Sequence, residues 1–259
     1  MTDDRPDPFS GDFDGAFDAS PVIDTDFSDL PEWLLPLADA VAGISPGDHY
    51  LGRPLLRRPS SLGGEANPSA VLILFADSPA HGPDVLITER SANMRSHAGQ
   101  AAFPGGRIDP LEDCAEDEGP IRAALREARE EAGVDPTGVR VFGELPELYL
   151  PPSDFLVTPV LAWWHTPKAA AVTSPDEVAA VHRVPVSALV DPANRFRLQH
   201  PSGYRGPAFV VDELLVWGFT AGVLDAVLRL GGWERPWEPA EVIDYPLDVR
   251  EFRRTRGSA

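Results

Sequence analysis

The chain has 259 residues, 43% of them hydrophobic and 8% aromatic, which is enough apolar material for a packed core. Its formal charge of −19 speaks against nucleic-acid binding, which depends on Lys and Arg neutralising phosphates. No apolar run reaches the ~18–20 residues of a membrane span. The one cysteine, Cys114, excludes a disulfide framework or a multi-cysteine zinc site and points to a reducing, cytoplasmic compartment.

The first 30 residues hold nine aspartates against Arg5 alone, a net of −8, and read as an acidic, disordered tail with no secretory leader. "PEWLLPLADAVAGI" (31–44) has the pattern of a short amphipathic helix. Strands are expected at 71–75 and 85–88, joined by the turn-rich "ADSPAHGPD". "AAFPGGRIDPLEDCAEDEG" reads as a loop opening on two glycines, and Pro120 and Gly133 bracket the next helix as N1 and C-cap residues. Further strands are expected at 139–143, at 157–164 and within 196–217, followed by the helix "FTAGVLDAVLRLGG". The elements mix without strict alternation, which predicts an α/β fold with a mixed sheet and helices on its faces. The organisation expected is a tail (1–30), one domain with an N-terminal helical extension (31–232) and a C-terminal extension (233–259).

The helix "AALREAREEAGV" (123–134) raises an electrostatic question. On a helical wheel Ile121, Ala124, Leu125, Ala128 and Ala132 form the core stripe, Arg122, Arg126 and Arg129 a second sector, and Glu127, Glu130 and Glu131 a third. Like charges at i, i+3 and i+4 repel by roughly 0.2–0.5 kcal/mol per pair. The helix C-terminus is also where the macrodipole disfavours negative charge. The spacing lets the three carboxylates converge on one point beside the helix, and Arg126 is placed to orient Glu127. Hard oxygen donors without Cys or His suit Mg²⁺ or Mn²⁺. The backbone of Gly105 and Gly106, in "PGG", can approach a metal or phosphate closely because no side chain intervenes.

"GGRIDPLE…REAREEAGV" resembles the Nudix box, G-x5-E-x7-R-E-U-x-E-E-x-G-U, with U an apolar residue. Gly106, Glu112, Arg126, Glu127, Ala128, Glu130, Glu131, Gly133 and Val134 take its fixed positions. Thirteen residues rather than seven separate Glu112 from Arg126, so "DCAEDEG" carries a six-residue insertion. A second alignment puts Glu118 in the place of the loop glutamate, since it lies eight before Arg126, and the choice stays open at this point. The resemblance implies a Nudix fold, a mixed sheet sandwiched between helices. It also implies a pyrophosphohydrolase that attacks a diphosphate with metal-activated water, with Glu127, Glu130, Glu131 and Gly106 at the metal. Glu127 is then a ligand, a general base or both; a separate base is expected, and Glu177, in "SPDEVAAV", is the candidate.

Upstream, "LITERSANMRSHAGQAAFPGG" (86–106) resembles the signature of the coenzyme A pyrophosphatase branch of this family. "LPPSDFLVTPVLAW" and "VWGFTAGVL" extend the likeness over roughly 70–230. On so acidic a chain Arg90, Arg95 and His97 form a local basic cluster suited to phosphates. Together with Gln100, Gly105 and Gly106 they are the expected substrate-binding residues. The resemblance implies cleavage of coenzyme A or its derivatives to 3′,5′-ADP and 4′-phosphopantetheine products. The rivals are ADP-ribose or another nucleoside diphosphate derivative as substrate, and a non-catalytic nucleotide-binding regulatory module. The partner expected is a small-molecule substrate, with neither nucleic acid nor membrane involved, and a homodimer is left open.

Overall fold

The protein is seen in a computed structural model that describes residues 23, 26–45, 48, 50–51, 65–94, 98–110, 117–151, 153–237 and 242–245. Most of the expected acidic tail lies outside the described residues, as do Arg95, His97 and Glu112. The end of that tail is built into the body. Phe27–Asp29 forms a 3₁₀ turn capped by the Asp26 carboxylate, Leu30 is buried, and Asp29 pairs with Arg140 at 3.0 Å.

Helix α1 (Leu35–Ala42) precedes a mixed eight-stranded sheet. Its strands are β1 (Asn67–Ser78), β2 (Gly82–Arg90), β3 (Ala101–Ala102), β4 (Gly105–Arg107), β5 (Val139–Glu144), β6 (Leu148–Leu150), β7 (Phe155–Trp164) and β8 (Val178–Pro185). Its spine is the parallel pair β1 and β7, in register from Asn67 opposite Phe155 to Phe75 opposite Trp163. The free edge of β1 is shared. β4 pairs with its first half (Ala70 opposite Gly106) and β2 with its second (Phe75 opposite Val85), both antiparallel.

The period-two alternation of β1 splits its side chains between two cores. Ala70, Leu72, Leu74 and Ala76 face helix α2 (Gly119–Ala132), while Ile73 and Phe75 face α1 and helix α4 (Gly218–Leu230). Between β8 and α4 lie the short helix α3 (Val186–Leu189) and strands β9 (Arg195–Gln199), β10 (Arg205–Val211) and β11 (Leu214–Val216). With β12 (Val242–Asp244) these make a second, four-stranded sheet in the order β11-β10-β9-β12. The layered α/β arrangement and mixed sheet follow the expectation. No helix among the described residues is long and apolar enough to cross a membrane.

The strands run longer than local pattern predicts. "ADSPAHGPD" is a turn only at 79–81, because Asp84 sits inside β2 with its carboxylate buried against Arg183 (2.8 Å) and His81 (2.7 Å). Similarly, "AAFPGG" is not all loop: β3 and β4 form there by pairing with β2 and β1.

Candidate active site

Helix α2 carries the site, and its ends follow from local chemistry. Pro120 occupies its first turn, and Gly133 closes it at φ +65°, donating to the carbonyls of Ala128 and Arg129. Ala123, Ala124, Leu125, Ala128 and Ala132 are buried against Ala70, Leu72 and Leu74, so mostly small side chains bring the helix close to β1.

That closeness sets the fate of the three glutamates, which do not behave as one face. Glu131 is 4% exposed and lies beneath β4, where its Oε2 accepts the Gly105 N–H at 3.3 Å. Glu127 sits beside Gly106, where a Cβ would collide with its carboxylate. Gly105 is equally constrained on its other side, since a Cβ there would strike Val71 and the Ala70 carbonyl. The Glu130 side chain is 54% exposed and rests on Arg126.

The expected convergence of all three carboxylates on one point is therefore corrected. Among the described residues no three His, Cys, Asp or Glu side chains are drawn together as a metal cage. The cation that meets Glu127 and Glu130 in this arrangement is Arg126, whose NH1 donates to Glu127 (3.0 Å) and to Glu130 (3.1 Å). Its Nε donates to both oxygens of Glu118 (3.3 and 3.2 Å), and NH2 to Glu118 (2.8 Å) and the Arg107 carbonyl (3.0 Å). Glu118 raises the pKa of Arg126 more than any other group, so this guanidinium is a fixed positive charge.

Burial pushes the Glu131 carboxyl up to about 8, helped by the charges of Glu127 and Glu177 and opposed by Arg90 and the Gly105 N–H. Burial likewise raises Glu127, against the pull of Arg126 and with the push of Glu130 and Glu177. Two inward carboxylates that resist ionisation beside each other are a donor set suited to a hard divalent cation, which would relieve both.

The remaining candidates are brought in by the sheet. Arg90 stands opposite Val178 in the β2–β8 pair, and the Ser91 N–H donates to the Glu177 carbonyl at 2.8 Å. Glu177 therefore lies in the turn beside Arg90, and the charges of both act on Glu131. Arg90 Nε is buried with no hydrogen-bond partner among the described residues. Gln100 is joined by its backbone, its carbonyl accepting the Arg90 N–H at 3.0 Å. Thus Arg90, Gln100, Gly105, Gly106, Arg126, Glu127, Glu131 and Glu177 gather around one end of β4, with Glu130 at the rim.

The loop glutamate left open by spacing receives a partner here. Glu118 clamps Arg126 and also accepts the Asp109 N–H at 2.9 Å. Pro110 and Asp117 form an isolated antiparallel bridge, so the described residues on either side of 111–116 are neighbours. With those six set aside, five residues separate Gly106 from Glu118 and seven separate Glu118 from Arg126, the spacing of the uninterrupted box. The extra residues fall before Glu118 rather than after Glu112. The E-x7-R spacing was the signal for this, and only the bridge distinguishes it from the alternative. Asp109 and Arg107 carry no local signal.

A family model described as NUDIX domain matches residues 66–205. The chain is 37% identical over 196 residues to an uncharacterized Nudix hydrolase, NudL, of Citrobacter koseri, a match covering 71% of this chain and 94% of that protein. It is 36% identical over 201 residues to the NudL of Cronobacter sakazakii, covering 73% and 96% respectively. Among solved structures, RenU, a Nudix hydrolase from M. smegmatis, aligns at a TM-score of 0.45 and 20% identity, over 68% of this chain and 91% of that one. The chain belongs to the Nudix hydrolases and is a pyrophosphohydrolase of that family.

Proposed function

We propose that the chain hydrolyses the diphosphate of coenzyme A or its derivatives, with Mg²⁺ or Mn²⁺ held by Glu127, Glu131 and the backbone of Gly106, and with Glu130 at the rim. The observation that carries this is the meeting of two sequence signatures in space. The 86–106 segment resembling the coenzyme A branch ends on Gly105 and Gly106, and the Gly105 N–H donates to Glu131 of the box helix. Nudix hydrolases use divalent metal ions, which when bound neutralise phosphate charge and lower the pKa of an attacking water.

The residues of the chain supply the rest. Arg90, whose Nε has no partner among the described residues and whose charge acts on Glu131, is a donor for a substrate phosphate, and Arg95 and His97, five and seven positions on in the sequence, are the candidates for the 3′-phosphate. Gly105 and Gly106 have no side chains where Val71 and the Glu127 carboxylate stand against them, which keeps β4 close to the carboxylates that would hold the metal. Arg126 holds Glu127 in one orientation. Glu177 accepts the proton of the attacking water as the new P–O bond forms and the bridging P–O bond breaks. Coenzyme A presents a 3′-phosphate in addition to its diphosphate, and a basic run on an otherwise acidic chain suits that extra charge.

The test is product identification after incubation with coenzyme A, ADP-ribose and dinucleoside polyphosphates in Mn²⁺. Release of 3′,5′-ADP from coenzyme A is the expected result. Release of AMP from ADP-ribose with coenzyme A intact would move the substrate and leave the family in place. No turnover of any of these, by wild type and E131Q alike, would favour the non-catalytic module.

A further inference from the structure

Strand β3 pairs with β2 on the same edge as β1, opposite β8, and it runs directly into the two site glycines of β4, which pairs with β1. The Gln100 carbonyl faces β2, accepting from Arg90, so the next carbonyl, that of Ala101, points outward. A buried outward carbonyl needs a donor. Thr220, 5% exposed on the first turn of α4, supplies it, its Oγ1 donating to Ala101 O at 3.0 Å. Thr88, 1% exposed on β2, donates to the next carbonyl, Ala102 O, at 3.2 Å. Pro104 O then accepts the Leu72 N–H at 2.8 Å, and Gly105 N–H reaches Glu131. Residues 101–106 are therefore pinned at successive points, and the first pin comes from a helix outside the residues matched by the family model.

We infer that Thr220 is a positioning residue: by fixing Ala101 it holds the backbone that places the Gly105 N–H on Glu131 and Gly106 against Glu127. The C-terminal unit of β9–β12 and α4 is then part of the catalytic apparatus and not only a cover for the apolar core. Tyr204 strengthens the same link, its hydroxyl donating to the Gly218 carbonyl at the start of α4 (3.1 Å). The inference rests on Glu127 and Glu131 being the metal-binding pair of the proposed function.

The test compares T220V, T220S and the core control V223A, whose side chain is buried on the same helix. Three quantities are measured: thermal midpoint, amide hydrogen exchange at Gly105, and Mn²⁺ affinity from the electron paramagnetic resonance of free Mn²⁺. T220V is expected to accelerate Gly105 exchange and to weaken Mn²⁺ binding by about tenfold, the lower end of what outer-shell partners contribute. T220S, which keeps the hydroxyl, restores both, while V223A lowers the midpoint with neither change. If T220V lowers only the midpoint, or behaves as V223A does, Thr220 is structural and the inference fails. If wild type takes up no Mn²⁺, the metal assignment fails instead, and Gly105 exchange alone decides whether Thr220 positions β4.

Discussion

Arg126 and Glu118 are joined by three hydrogen bonds, Nε to both carboxylate oxygens and NH2 to Oε1, at 2.8–3.3 Å. This clamp leaves NH1 free to hold Glu127 and Glu130. Removing one partner of such a half-buried, charge-assisted set loosens the orientation of Glu127. E118Q should reduce kcat by about 10- to 100-fold, the usual effect of losing an outer-shell partner. E112Q should leave kcat unchanged. Steady-state turnover of the two variants checks this, and a reversed order would return the loop role to Glu112.

The Pro110–Asp117 bridge brings the ends of residues 111–116 together. Replacing residues 111–116 with a two-residue Asn-Gly turn should therefore retain turnover and the thermal midpoint of the parent. Loss of Mn²⁺-dependent activity in that shortened chain would show that the insertion is part of the catalytic machinery.

How much of this was legible in the sequence depends on how local each determinant is. Helix α2 was readable because Pro120, Gly133 and the alanine stripe all lie within the helix or at its ends. The sector of the three glutamates was readable too, but their separation was not: Glu131 is inward only because β4 crosses above it, and β4 exists only by pairing with Ala70. The position of the insertion was ambiguous because spacing alone admits two glutamates. The segments of Thr220 and Ala101 both carry the family likeness, but the bond between them spans 119 positions and no local pattern links them. Arg95 and His97 lie outside the described residues, and their places rest on the sequence.

Gly106 is required for its missing Cβ. In G106A the methyl group would meet the flexible end of Glu127, which can swing aside, so the fold tolerates the change. The displaced carboxylate no longer faces β4. The expected outcome is a nearly unchanged thermal midpoint with kcat reduced by at least about 100-fold, since small misplacements of catalytic groups cost that much. Full activity in a folded G106A would remove Glu127 from the site.

The raised Glu131 carboxyl makes stability depend on pH in a definite direction. Unfolded, it ionises near its ordinary 4.5; folded, it keeps its proton up to about 8. Its contribution to stability is full below 4.5, declines as pH rises through this window, and is lost above 8. Denaturant unfolding in chelator should show that decline, and E131Q should flatten it. Mn²⁺ should oppose it, because a cation favours the ionised form. An E131Q variant with the wild-type slope would place the titration elsewhere.

Glu127 and Glu131, crowded and buried beneath two glycines, are expected to ionise together only with a divalent cation. Calorimetric titration of the chelated protein with Mn²⁺ at neutral pH tests this most directly. Wild type should bind with release of protons, and E131Q and E127Q should each bind at least about tenfold more weakly. Equal binding by all three proteins, or none by wild type, would contradict it.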